Sequence, residues 1–129
     1  MQSLEIKQVL NVLKNNTKNI SFLDIRKRKE YVYGFAFGSV NCPFSKFKYL
    51  IKELVPDINT TLILIGVKNI NQKNQIQKML KKLKYHRSFI IKGDYKIWKK
   101  YKFPIWAGEY TFSKAFGEWI EITSTINNL

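Results

Sequence analysis

A chain of 129 residues, 45% of them hydrophobic and 15% aromatic, has the length of one domain and enough apolar content to bury a core. That content excludes a wholly disordered chain, and no apolar run approaches the ~18 residues that span a bilayer. One cysteine, Cys42, excludes an internal disulfide and a cysteine-cluster zinc site.

The start, Met1-Gln2-Ser3-Leu4-Glu5, lacks a charged segment followed by an apolar one, so no secretory signal is expected and a cytoplasmic protein is the simplest reading. The formal charge is +14, from 23 Lys+Arg against 9 Asp+Glu. Such a balance suits a nucleic-acid or anionic-membrane binder. Only Arg26, Arg28 and Arg87 are arginines, however, and Lys, Asn and Ile are enriched together. That pattern is the mark of a coding bias more than of a phosphate-reading surface, which favours the planar fork of arginine.

Leu4, Val9, Leu10 and Leu13 repeat at helical spacing and predict an amphipathic helix at the start. Ile20 to Ile25 predicts a strand, followed by a polar turn or short helix over 26–30. Gly34 and Gly38 bracket an irregular stretch, with turns that need positive φ or close packing. Ser39 to Cys42 predicts a very short strand stopped by Pro43. Ser45 is a candidate cap for a helix with Phe47, Leu50, Ile51 and Leu54 inward.

Thr60 to Val67 is apolar without alternation, as in a parallel strand buried on both faces. Asn71 to Lys84 predicts a helix with Ile76, Met79, Leu80 and Leu83 inward. Ser88 to Ile91 predicts a strand. Asp94 is suited to cap a helix through Tyr101, closed by Phe103-Pro104. Strands alternating with helices predict an α/β layer fold: a mostly parallel sheet with helices on both faces. The runs Lys78, Lys81, Lys82, Lys84 and Lys96, Lys99, Lys100, Lys102 then fall on solvated helix faces.

Leu23-Asp24-Ile25-Arg26, Glu30-Tyr31, Gly34 and Gly38-Ser39-Val40-Asn41-Cys42-Pro43 together resemble the rhodanese homology domain. That family opens with a strand ending Asp-x-Arg, then a Glu-Tyr-like pair, then Gly-His-Ile-x-Gly-Ala-x-Asn-x-Pro. Phe35 stands here for the histidine and Ser39 for the alanine. Leu83-Lys84-Tyr85 sits where the family has Leu-x-x-Gly-Tyr, without the glycine. Gly93-Asp94 with Trp98 resembles Gly-Gly-x-x-x-Trp, and Pro104 fits the closing Leu-Pro. The resemblance spans residues 4–105 and implies a single rhodanese-like domain there. It makes Asp24, Arg26, Glu30, Gly34, Gly38 and Trp98 mostly structural. From the residues alone, Asp24 is suited to accept backbone N–H bonds in the following loop. Arg26 is suited to pair with Glu30 or to hold loop carbonyls.

The resemblance also implies a nucleophile that this sequence lacks. A working rhodanese carries a cysteine directly after its central strand, in a loop that commonly reads Cys-x-x-Gly-x-Arg-Ser. Laid on this chain, that loop is Gly66-Val67-Lys68-Asn69-Ile70-Asn71-Gln72, with Gly66 at the cysteine position. Covalent persulfide chemistry cannot start from a residue without a side chain. A catalytically inactive domain with a structural, regulatory or protein-binding role follows. The remnant loop, with Lys68 and a helix start, keeps the makings of a small-anion site. An alternative is a sulfurtransferase or monothiol redox protein using Cys42, read as Cys42-Pro43-Phe44-Ser45 at a helix start, with Pro104 as a cis-proline. A further alternative is a basic nucleic-acid-associated protein.

His86 is the only histidine and has no second metal ligand nearby in sequence, so neither a metal nor a cofactor is expected. After Pro104 the chain turns acidic and aromatic. Phe112, Phe116, Trp119 and Ile120 form one helical stripe, with Gly117 inside it. Residues 106–129 therefore read as an extension that covers the domain or docks a protein partner.

Overall fold

The computed structural model describes residues 1–5, 8, 9, 11, 19–36, 38–92, 105 and 106. Five parallel strands form the main sheet: β1 (Gln2–Leu4), β2 (Ile20–Asp24), β4 (Val40–Asn41), β5 (Thr61–Ile65) and β6 (Ser88–Ile91). Their order across the sheet is β1-β6-β5-β2-β4. The helices are α1 (Arg28–Tyr33), α2 (Phe47–Leu54) and α3 (Ile70–Lys82), with a 3-10 turn at Phe44–Lys46 before α2. The short strand β3 (Phe35–Ala36) pairs antiparallel with β7 (Ile105–Trp106) in a separate two-stranded sheet.

The central strand β5 is flanked by β2 and β6 in parallel register, with Leu23 beside Leu64 and Leu64 beside Ile90. All five of its residues are buried. Successive side chains alternate between faces, so a strand with no exposed residue must be covered on both. Leu23, Ile25, Leu62, Leu64 and Ile90 form one core cluster with Phe47 and Ile51 of α2 and Ile76 and Leu80 of α3. The two helices thus lay their apolar stripes on one face of the sheet. Leu50, Leu54, Met79 and Leu83 pack at the margin of that cluster. On the opposite face Phe22, Ile63 and Ile65 are buried as well.

The structure changes several local expectations. Leu4 lies in β1, beside Ile91 of β6, and not in a helix; Gln8, Val9 and Asn11 are helical, while Leu10 and Leu13 lie outside the described residues. The apolar i, i+5 pair Leu4 and Val9 fits a strand leading into a helix as well as one continuous helix. Ser45 caps nothing: it lies inside the 3-10 turn, whose N-cap is Pro43, and Lys46 precedes α2 without a side-chain cap. Gly34 has extended backbone at φ −179°, a conformation open to any residue, whereas Gly38 at φ +86° does need the left-handed region.

At its start α3 is capped by Asn69, whose side chain accepts the N–H of Gln72 at 2.8 Å. At its end the N–H of Tyr85 donates to the Leu80 carbonyl and that of Lys84 to the Lys81 carbonyl. This is a Schellman cap, with the aromatic ring of Tyr85 and the side chain of Leu80 in the same core cluster. The cap requires a left-handed residue at position 84, and Lys84 supplies it at φ +69°. The helix over 94–101, its Asp94 cap, Trp98, Pro104 and the stripe from Phe112 to Ile120 lie outside the described residues.

Candidate functional site

A parallel sheet gathers its loops at the carboxyl ends of its strands, and the motif residues meet there. β2 ends at Asp24 and β5 at Ile65, side by side in register. The N–H of Ile25 donates to the Ile65 carbonyl at 2.9 Å, holding the two exits together. Asn41, at the end of β4, donates its amide to the carbonyls of Asp24 at 3.0 Å and Arg26 at 2.9 Å.

Asp24 and Arg26 stand two residues apart, so continuing strand geometry puts both on the same side. Arg26 Nε donates to Asp24 Oδ1 at 3.0 Å and its NH2 to Oδ2 at 2.7 Å. The backbone N–H of Arg26 also donates to Oδ1 at 3.0 Å. The same NH2 group donates to the Gly34 carbonyl at 2.7 Å, tying the strand end to the end of α1. Asp24 is fully buried and Arg26 nearly so. Burial pushes the Asp24 carboxyl above its ordinary value; the hydrogen bonds and charge of Arg26 offset part of that.

Arg26 therefore holds a loop carbonyl, as expected, but its carboxylate partner is Asp24 and not Glu30. Glu30 instead faces Lys68 of the loop after β5, at 3.5 Å and partly exposed. The Asp24–Arg26 pair was not foreseen; the signal for it was the Asp-x-Arg spacing at a strand end. Tyr31 was also missed as an anchor. Its ring stacks on Phe35 with centroids 4.3 Å apart, and its hydroxyl donates to the Ser39 carbonyl at 2.5 Å. Burial pushes its pKa up to about 12.

Gly66 follows β5 directly and has φ +88°. A Cβ built there would lie 2.5 Å from Arg26 Cγ, 3.3 Å from Arg26 Cδ and 3.4 Å from Asp24 Oδ1. A β-carbon at 66 would therefore require Arg26 to shift. Within the loop, the N–H of Lys68 donates to Gln72 Oε1 at 2.8 Å, and the Gln72 N–H goes to Asn69. Val67 is half-buried against the core, and Lys68, Asn69, Ile70 and Asn71 are exposed.

Cys42 is fully buried in the cluster beneath α2 and α3. Desolvation pushes its thiol up to about 12, the opposite of what a helix-terminus nucleophile needs. Its backbone N–H donates to the Asp24 carbonyl at 2.8 Å, so the segment is part of the strand framework. Among the described residues, no group of three or more His, Cys, Asp and Glu could hold a metal. No helix among them is long and apolar enough to cross a membrane.

This sheet order and the layout of its loops define a rhodanese-type α/β domain. The model of the Rhodanese-like domain family matches residues 7–101, and the chain belongs to that family. Among solved structures, it is similar to the thiosulfate sulfurtransferase of Pseudomonas aeruginosa, with a TM-score of 0.71 and 18% identity. That match covers 97% of this chain but only 23% of the other. The rhodanese-like domain of an Anabaena protein matches with a TM-score of 0.64 and 17% identity, over 88% of this chain and 82% of that one. A rhodanese from E. coli, solved with anions, matches at 0.53 and 23% identity, over 69% and 99%. At such identities the likeness is one of fold. No curated protein has a sequence that matches this one.

Proposed function

We propose that this rhodanese-like domain is a non-enzymatic scaffold, with a structural, regulatory or protein-binding role in place of sulfur transfer. The observation that carries this reading is the occupied space at Gly66, the position that takes the family's cysteine in the sequence comparison. Gly66 offers no nucleophile, and Arg26 Cγ stands 2.5 Å from where a β-carbon on residue 66 would start. The residues at the mouth are arranged for cohesion: Gly34 is bound by Arg26, and Lys68 faces Glu30.

The alternative through Cys42 is disfavoured by its burial and by the upward displacement of its pKa. An anion at the loop 66–72 would have to compete with the Asn69 cap for the Gln72 N–H, which makes that role secondary. The segment 106–129 is proposed to serve as a cover for the domain or as a docking element for a protein partner.

A thiosulfate:cyanide sulfurtransferase assay on the wild type and on Cys42→Ser tests the reading. The expected result is no activity above the uncatalysed rate in either. Turnover in the wild type that disappears in Cys42→Ser would overturn it.

A further inference from the structure

Among the described residues, three large hydrophobic side chains are exposed: Tyr33, Tyr49 and Ile70. Two of them stand at the end of the sheet where the motif residues gather. Tyr33 closes α1, one helical turn after Glu30, and Ile70 opens α3, two residues after Lys68. Glu30 and Lys68 meet at 3.5 Å, so the elements that carry the two apolar side chains are tied to each other. Tyr33 is 82% exposed and Ile70 67%. Apolar side chains scattered singly over a surface need no partner; these two share one side of one ion pair, and the course of the chain points to what covers them.

β7 pairs with β3, which sets Trp106 opposite Phe35, two residues past Tyr33. The sequence continues for 23 residues beyond Trp106, with Phe112, Phe116, Trp119 and Ile120 as its helical stripe. A helix this short, with Gly117 inside it, does not hold in water by itself and needs a surface on which to bury that stripe. Phe112 is six residues from Trp106, and six extended residues span at most about 20 Å, so the stripe begins within reach of Tyr33. Charge favours the same place. After Trp106 three glutamates stand against one lysine, whereas the chain up to Trp106 carries 22 Lys+Arg against 6 Asp+Glu. Lys27 and Lys29, at the start of α1, and Lys68 are exposed at this end of the sheet.

We propose that the segment 107–129 folds back over this end of the sheet and lays its aromatic stripe on Tyr33 and Ile70, so that the chain covers the mouth of its own loops. The β3–β7 pairing tethers the segment beside the patch. A tethered segment meets its site at an effective concentration that a second copy or a separate protein would have to match. This rests on the reading of residues 106–129 as a cover and names the surface covered; it does not depend on the absence of sulfur transfer.

A nitroxide label on the full chain at Asn71→Cys, an exposed position beside Ile70, tests this by NMR; Cys42 is buried and out of the reagent's reach. The indole N–H signal of Trp119, assigned with Trp119→Phe, is expected to lose more than half its intensity beside the oxidised label and to regain it on reduction, at every protein concentration. A Trp119 signal that the label leaves unchanged overturns the proposal. So does broadening in an isotope-enriched, unlabelled chain mixed with the labelled one, which assigns the patch to a second copy. A further measurement needs no label. Tyr33→Ser combined with Ile70→Ser is expected to speed tryptic cleavage after Lys114 by about tenfold or more, because the stripe loses its apolar seat. Both side chains are exposed, and an unchanged circular dichroism spectrum will verify that the variant folds. Equal cleavage of variant and wild type overturns the proposal. Neither measurement reads sulfur transfer, so a failure here is distinct from a failure of the scaffold reading.

Discussion

Arg26 and Gly66 belong to neighbouring strand exits and share one small volume: the arginine Cγ lies 2.5 Å from where a β-carbon on residue 66 would start. That carbon is near the root of its side chain. It cannot swing aside unless the guanidinium leaves both Asp24 and the Gly34 carbonyl.

Placing a thiol at the family's position should therefore not create a sulfurtransferase. Gly66→Cys adds left-handed strain of about 1–2 kcal/mol and overpacking of about 1–3 kcal/mol. We expect the urea midpoint to fall by the equivalent of at least about 2 kcal/mol, with no sulfur transfer from thiosulfate. Gly66→Ala should fall comparably, since the conflict begins at Cβ.

Removing the arginine leaves a buried carboxylate without its partner. Arg26→Met should cost about 3–5 kcal/mol at pH 7. The Asp24 pKa is already raised by burial, and loss of Arg26 removes what lowers it. For an acid whose folded pKa exceeds its unfolded one, protonation favours the folded state, so stability rises as pH falls through the folded pKa. The deficit of the variant should accordingly shrink between pH 7 and pH 4.5 in parallel urea titrations.

The buried thiol should be inert while the protein is folded. Ellman's reagent at pH 8 should react with Cys42 only at the rate of global unfolding, and promptly in guanidinium. Between about pH 9 and 12 the unfolded thiol ionises and the folded one does not. The unfolded state then binds fewer protons, and stability falls with rising pH by about 1.4 kcal/mol per unit from this group. Tyr31, raised from 10.0 to about 12, adds to that loss above pH 10. Cys42→Ala should show a shallower alkaline slope, whatever its stability at pH 7.

The cap of α3 offers a gain. Lys84 occupies a left-handed position at φ +69°, where a β-carbon costs roughly 1–2 kcal/mol. Glycine removes that cost but has more freedom to lose on folding. Lys84→Gly should raise the thermal midpoint by a few degrees, corresponding to about 0.5–1 kcal/mol; a lower midpoint would contradict the left-handed cap.

From residue 20 to residue 91 the main-sheet strands and the helices α2 and α3 were readable in order, most clearly where an element is long enough to carry a period; β3, inside the stretch read as irregular between Gly34 and Gly38, was not. β5 is a continuous apolar run, and α2 and α3 keep their stripes. Lys84 shows the limit of letter-matching: it stands where the resemblance places a glycine, and its backbone holds the left-handed conformation that glycine adopts without strain. The Asp24–Arg26 pair was half legible. The spacing marked the two residues, but nothing in a linear string says that their joint side chains reach across to residue 66. β1 was hidden because three residues are too few for a period, and its pairing with β6 is contact over long sequence separation.

Arg26 thus serves two neighbours at once: through Asp24 and the Gly34 carbonyl it clasps the exit of β2 to the end of α1, and through its Cγ it sets the size limit at residue 66, so a side chain introduced there is felt as far as α1.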